Sequence, residues 1–369
     1  MGVKSWDAIV VGAVIVGLSL AIELNRRGLR VLVVEKGEPG REASWAAGGM
    51  LADFPVEMAP GLQELATASA RMYPEFVREL EEESGLKIDL RSVGALVFLR
   101  GETGPFGSAQ GRLRPPTTRA YALPGTLEEL EPALRISSER DLTPLFVKER
   151  CVDPRHLTAA GIAAARHRGI DFSSGDQVLA VEVASGKACG VRTNKTQFTA
   201  GVVVNCAGAW SGQIGPYLFP TRPIKGQMLC VAMPEKELVR HVVRTPDVYL
   251  IPRSDGRMAI GATQEETGFD KQTVPETIEK LRQAALELVP KLAEARILEA
   301  WAGLRPGTPD AMPILGATPT PGYFVATGHF RDGILLSPVT ARVMGQVIAG
   351  EKPEFELKRF GAARFLSSK

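Results

Sequence analysis

The feature that most limits how this chain can fold lies at its start. Asp7-Ala8-Ile9-Val10-Val11 is a short β-branched run that stops at Gly12. From Val14 the pattern becomes helical, with Leu18, Ala21, Ile22 and Leu24 on its apolar side, until Gly28 stops it. Val31-Leu32-Val33-Val34 is a second apolar run and closes on Glu35. This is a complete βαβ unit, and continuous apolar strands of this kind belong to parallel sheets covered on both faces. Gly12-Ala13-Val14-Ile15-Val16-Gly17 occupies the place of a G-x-G-x-x-G turn between strand and helix, where backbone N–H groups and the helix dipole can hold a pyrophosphate. Glu35 follows Gly17 by 18 residues, at the strand end where a carboxylate can accept both ribose hydroxyls. Strand, helix and terminal acid in register point to a dinucleotide site, against the plainer alternative of a packed βαβ unit. The middle glycine is missing. Val14 stands where the backbone comes nearest the phosphates, and its branched Cβ predicts cofactor affinity weakened by about 1–3 kcal/mol, the usual range for overpacking.

At 369 residues the chain is natural for two domains, and 44% hydrophobic with 23% charged residues describes an ordinary globular protein. A net charge of +2 and no Lys/Arg-rich run argue against a nucleic-acid footprint, so the expected partners are small molecules. Cys151, Cys189, Cys206 and Cys230 are widely spaced, with no C-x-x-C pair and no histidine cluster, so no metal site is expected and free thiols in a reducing cytoplasm are. Residues 8–22 are the one place where a secretion signal could hide. Asp7 before it, Gly12 and Gly17 within it and Glu23 after it argue otherwise, and it is too short to span a bilayer.

Further along, residues 62–86 read as a charged helix and residues 101–124, dense in Gly, Pro and Thr, as an irregular excursion. Residues 178–183 and 190–192 suggest a hairpin, and Gly201-Val202-Val203-Val204-Asn205-Cys206 another buried strand. Residues 223–262 alternate like antiparallel sheet, and 275–292 read as a helix. The fold class expected is α/β, α+β overall: a Rossmann-like cofactor domain (1–85, 146–216 and 303–369) with an inserted, mainly antiparallel β-sheet substrate domain (86–145 and 217–302).

Three long blocks carry more. Ala43-Ser44-Trp45-Ala46-Ala47-Gly48-Gly49-Met50-Leu51, Trp301-Ala302-Gly303-Leu304-Arg305-Pro306-Gly307-Thr308-Pro309-Asp310 and Thr327-Gly328-His329-Phe330-Arg331-Asp332-Gly333-Ile334-Leu335-Leu336 resemble glycine oxidases of the thiamine-biosynthesis type, within the D-amino-acid oxidase family of FAD-dependent oxidoreductases. The likeness runs from the first strand to the last helix. It implies non-covalent FAD, with Gly12, Val14 and Gly17 at the pyrophosphate, Glu35 at the ribose and Val178 beside the adenine. It also implies Ser44, Ala47, Gly49 and Met50 along the path to the isoalloxazine, and Gly208 near the cofactor. Gly328, His329, Arg331, Asp332, Gly333, Ile334 and Leu335 would lie against the pyrimidine end, where a helix starting near Gly333 would aim its positive end at flavin N1 and C2=O. Asp332 departs from the Asn that the family often carries, and Asp247 stands where relatives carry histidine.

For the substrate the resemblance implies Arg305, Tyr249 and Arg331, with Met50 beside them. A guanidinium is planar with a fixed fork of donors, so Arg305 can grip a carboxylate by two parallel hydrogen bonds while Tyr249 donates a third. The implied reaction is oxidative deamination of glycine, sarcosine and small D-amino acids, with the α-hydrogen leaving as hydride to flavin N5, oxygen as acceptor and hydrogen peroxide as product. Positioning is then the main device, and no side-chain base is obligatory. The four histidines fit, since none lies in a Ser/His/Asp or metal-ligand setting. Relatives imply a homotetramer. Plainer assignments exist: Arg305 in a surface salt-bridge corner, Tyr249 as a half-buried strand residue, Met50 and Trp45 as core filling, His329 as structural, and Cys206 as a buried strand end rather than a covalent flavin link. Two rival functions also stand, a dehydrogenase of the same fold that reduces a quinone or partner protein, and a flavin-poor assembly subunit. A nicotinamide dehydrogenase lacks support, because no second dinucleotide fingerprint is present.

Overall fold

A computed structural model describes residues 5–53, 58–59, 61–100, 121–137 and 141–365. The opening unit is β1 (Trp6–Val11), α1 (Ile15–Arg26) and β2 (Val31–Glu35), with Val10 opposite Val33 in a parallel pair. After α2 (Ala43–Ala46) and β3 (Met50–Leu51), the expected charged helix is α3 (Gln63–Ser84), ended by Gly85 at a φ of 70°. The chain continues through β4 (Leu90–Arg91) and β5 (Ala95–Arg100), and then α4 (Leu127–Leu130), β6 (Leu142–Val147), β7 (Arg150–Val152), α5 (Pro154–His167) and β8 (Asp171–Ser174). Residues 101–120, most of the expected irregular excursion, lie outside the described residues. The expected hairpin is β9 (Val178–Ala184) and β10 (Lys187–Thr193), and it leads into β11 (Gln197–Asn205).

These strands build an eight-stranded sheet with the path β17-β18-β11-β1-β2-β8, where β17 is Ile314–Ala317 and β18 is Tyr323–Thr327, and the β9–β10 hairpin extends from β11. β11 serves two neighbours in sequence: its first half pairs antiparallel with β10 and its second half parallel with β1. The unbroken apolar runs now have their cause. Ala8, Val10, Val31 and Val33 pack under α1, α3, α5 and the last helix α7 (Gly333–Ile348), while Ile9, Val11, Leu32 and Val34 pack under the hairpin residues Val178, Val181, Ala188 and Val191. Both faces are covered, so both must be apolar.

The remaining strands form a seven-stranded sheet, β16-β12-β15-β14-β13-β5-β6, with β12 (Arg222–Ala232), β13 (Val242–Arg244), β14 (Tyr249–Pro252), β15 (Arg257–Gly261) and β16 (Arg296–Gly307). It is antiparallel except where β13 meets β5. Alternation sorts its faces. Leu229, Val231, Leu250 and Ile260 pack against Leu281, Ala285 and Leu288 of α6 (Pro275–Leu288). Met228, Cys230, Ile251 and Trp301 face the other way, towards Trp45, Met50 and Tyr249. A small third sheet, β3-β7-β4, ties the 43–51 segment down.

One expectation needs adjustment, and one plainer alternative falls away. The helix expected over 275–292 ends at Leu288, because Pro290 has no N–H to continue it and a 3₁₀ turn, Pro290–Glu294, follows. The block around Arg305 forms no corner. It is the end of the twelve-residue strand β16, which runs through the expected 302/303 domain boundary. No described helix is long and apolar enough to cross a membrane.

Candidate functional site: a sheet-end cleft beside Arg305 and Tyr249

The C-terminal ends of β1, β2 and β11 open into a cleft, the usual ligand position for a sheet of this kind. Gly12, Val14, Glu35, Val178 and Gly208, all expected at the cofactor, line it together. Gly12 has a φ of 107°, and a Cβ there would stand 2.6 Å from the Cys206 carbonyl oxygen. A Cβ on Gly17 would stand 3.1 Å from the Gly12 carbonyl carbon and closer still to its oxygen, so this glycine lets α1 close onto the turn. Glu35 is buried, with one carboxylate oxygen accepting from Ala13 N–H at 2.8 Å and the other from Gly37 N–H at 3.0 Å. Val14 takes an ordinary extended conformation (φ −94°, ψ 176°), so nothing in the backbone forbids it; its side chain lies on the cleft wall.

Across the cleft, Lys36 places its ammonium 3.0 Å from the centre of the Trp210 ring and 3.7 Å from Glu42, and burial lowers its pKa. Sequence reasoning passed over both residues, although Lys36 directly follows the acid expected at the ribose and Trp210 closes the Ala207-Gly208-Ala209 turn. Cys206 is buried and its thiol is pushed up to about 12 by desolvation, a neutral strand-end residue rather than a nucleophile.

The second group lies on the free face of the seven-stranded sheet. Trp301, Gly303 and Arg305 share one face of β16 by two-residue alternation. Trp301 donates its indole N–H to the Ala46 carbonyl at 3.1 Å, and Gly303 leaves room for the Ala46 side chain. Arg155 lies over both indoles, its guanidinium carbon 3.7 Å from the Trp45 ring centre and 4.7 Å from that of Trp301, and pairs with Glu299. Arg305 reaches across the neighbouring strand and donates from Nη1 to the Thr263 carbonyl at 3.0 Å. Beside it stands Tyr249, whose pKa is raised by burial against the opposing charges of Arg305 and Arg331. Met50 packs in the same cluster. Tyr249 thus feels the charges of both Arg305 and Arg331 and shares an apolar cluster with Met50, across a span of 281 residues of numbering (331 − 50).

The family comparison decides what the cleft is built for. The FAD dependent oxidoreductase family matches residues 7–347. The chain belongs to this family. It is 34% identical to a glycine oxidase of Pseudomonas aeruginosa over 95% of this chain and 96% of that one. It is 31% identical to hydrogen cyanide synthase subunit HcnC of the same organism, over 98% and 97%. The crystal structure of glycine oxidase from Geobacillus kaustophilus superposes with a TM-score of 0.88 at 28% identity, covering 98% of this chain and all of that one.

The FAD-dependent oxidoreductase thus has a cradle that fits its cofactor: a turn that admits no Cβ at Gly12 or Gly17, a helix N-terminus, and a carboxylate fixed at the end of β2. The other expected cofactor residues sort by what they touch. Ser44 Oγ accepts from Ile15 N–H at 3.1 Å, tying the 43–51 segment to the first turn of α1. Ala47 caps α2, and Gly49, at a φ of 80°, lies so close to the Val152 carbonyl that only glycine fits. Gly328, at a φ of 73°, turns the chain beside Thr308. His329 is buried, Nε2 against Thr340 Oγ1 at 3.1 Å, and desolvation lowers its pKa to about 4. Asp332 and Gly333 begin α7, and Arg331 is exposed just before it. Ile334 and Leu335 bury their side chains in the core, so only their backbone N–H groups would be offered to a cofactor at the helix N-terminus. Asp247 lies on an exposed turn, paired with Arg100 at 2.9 Å.

Proposed function

We propose that this oxidoreductase carries out oxidative deamination of small amino acids, glycine foremost and sarcosine and small D-amino acids with it, giving glyoxylate or the corresponding 2-oxo acid, ammonia and hydrogen peroxide. The observation that carries the reading is Arg305: a guanidinium inside a strand, fixed through Nη1 to a main-chain carbonyl and set beside Tyr249. An arginine held this way by neutral acceptors keeps its positive charge for an incoming anion. The raised pKa keeps the Tyr249 phenol protonated, so it donates to the carboxylate rather than repelling it. Arg331, exposed at the rim, closes the other side. Bound FAD supplies the acceptor for the α-hydrogen. The chain's own part is to hold the carboxylate so that the adjacent carbon faces the flavin, an orientation effect of the kind that dominates such reactions. The proposed enzyme is a cytoplasmic homo-oligomer.

Peroxide release measured across glycine, sarcosine, D-alanine and D-proline tests the substrate class. One methylene in an apolar pocket is worth about 1–3 kcal/mol, so graded rates rather than all-or-none selection are expected. Arg305→Ala should lose roughly thirtyfold to several thousandfold in kcat/KM, the range for about 2–5 kcal/mol, with flavin retained. Full activity in that variant removes the proposal. A second reading keeps the same amine oxidation and passes the electrons to a quinone or partner protein. Dye reduction under nitrogen without peroxide release in air identifies that case.

A further inference from the structure

Arg305 takes an unusual route. β16 pairs antiparallel with β12, Arg305 opposite Ile224 and Gly303 opposite Gly226. The Arg305 side chain therefore runs diagonally over β12, and its acceptor, the Thr263 carbonyl, lies beyond that strand: Thr263 N–H donates to the Gln227 carbonyl on the side of β12 away from β16. The crossing point is Gly226. A Cβ built there would stand 2.6 Å from Arg305 Cζ and closer still to Nη1 and Nη2. Gly226 has no left-handed φ, so its backbone does not demand glycine; only the overlying guanidinium does. It sits in the middle of the eleven-residue strand Arg222–Ala232, where a residue without a side chain is costly unless something else fills the space.

We propose that Gly226 is a positioning residue for substrate carboxylate binding: its bare Cα is the seat on which the Arg305 fork lies flat, with its Nη1 edge on Thr263 and its remaining donors turned to the substrate. The inference rests on Arg305 being the carboxylate clamp. A long flexible side chain gains a fixed orientation from this seat: the strand beneath is cut away to its outline and a carbonyl holds the far edge. The group that a new Cβ would strike is the tip of a side chain rather than backbone, so Gly226→Ala displaces Arg305 while leaving the sheet intact.

The test uses the FAD-loaded full chain and four variants: Gly226→Ala, Arg305→Lys, Arg305→Ala and the double Gly226→Ala/Arg305→Ala. The readouts are KM and kcat for glycine, the Kd of acetate from its perturbation of the visible flavin spectrum, and Tm. Gly226→Ala is expected to raise glycine KM and acetate Kd about tenfold or more with a near-normal Tm. The double variant should bind acetate no worse than Arg305→Ala alone, because the glycine acts only through the arginine. If Gly226→Ala changes neither KM nor acetate Kd while both Arg305 variants are impaired, the seat is refuted and the clamp stands. If the Arg305 variants also bind normally, the clamp falls and the seat with it. If Gly226→Ala lowers Tm sharply, the double variant decides: recovery to the Arg305→Ala value supports the clash, and persistent loss overturns it.

Discussion

At Val14 the expected conflict with a bound pyrophosphate would be steric rather than conformational. The residue has an ordinary extended backbone, yet its branched side chain forms part of the cleft wall where a pyrophosphate approaches the N-terminus of α1. Val14→Gly should therefore tighten FAD binding by about 1–3 kcal/mol. It should also cost the apoprotein about 0.4–1 kcal/mol, since glycine frees the unfolded chain. Titration of apoprotein with FAD, alongside apoprotein Tm, checks both signs, and an unchanged Kd would show that the turn accommodates the valine. The same distinction separates the glycines of the site. Gly12 is required by a positive φ and by the Cys206 carbonyl together, whereas Gly226 is required by space alone.

Among the elements, β16 matters most to the site. Its one face carries Trp301, which grips the 43–51 segment, then Gly303, which admits Ala46, then Arg305. The segment expected along the flavin and the residue expected on the substrate thus hang from one strand. Trp301→Phe keeps an aromatic ring but loses part of the buried indole and the bond to the Ala46 carbonyl; about 1–3 kcal/mol of stability should go with them. Faster hydrogen exchange across residues 43–50 should accompany the loss, and unaltered exchange there would show that β16 does not hold the segment. Much of the neighbouring architecture was legible in the sequence: β1, α1 and β2 declare themselves through period and terminal acid, and the start of α7 through Gly333. β16 was not. Its inward face alternates Trp301, Gly303 and Arg305 while Ile297 and Leu298, just after its start at Arg296, are exposed at a sheet edge, so no clean apolar rhythm marks it. The path of Arg305 is set by a partner strand 79 residues earlier (305 − 226), which no local pattern encodes. Gly226 did leave a trace, a lone glycine inside a strand between Lys225 and Gln227, the usual sign of a close approach.

On the scale of the whole molecule, His329 links the core to pH. Its pKa is lowered to about 4 by burial, against about 6.5 in an unfolded chain, so the folded state holds it neutral. Above pH 6.5 both states are neutral and pH has no leverage through this group. As pH falls from 6.5 to 4 the unfolded chain takes up a proton that the folded one refuses, and stability drops by about 3 kcal/mol before levelling off. His329→Gln should flatten that part of the Tm-against-pH curve, and an unaltered slope would place the acid sensitivity elsewhere. A last consequence comes from β11. The N-terminal β1 pairs with β2 soon after both are made, but its other flank waits for β11, with Ala8 joining Val202. The cleft needs Cys206 and Gly208 as well as Gly12 and Glu35. While only its N-terminal part has emerged, a growing polypeptide therefore lacks much of the cleft wall, and coenzyme capture is expected only once β11 and Leu304 have been made.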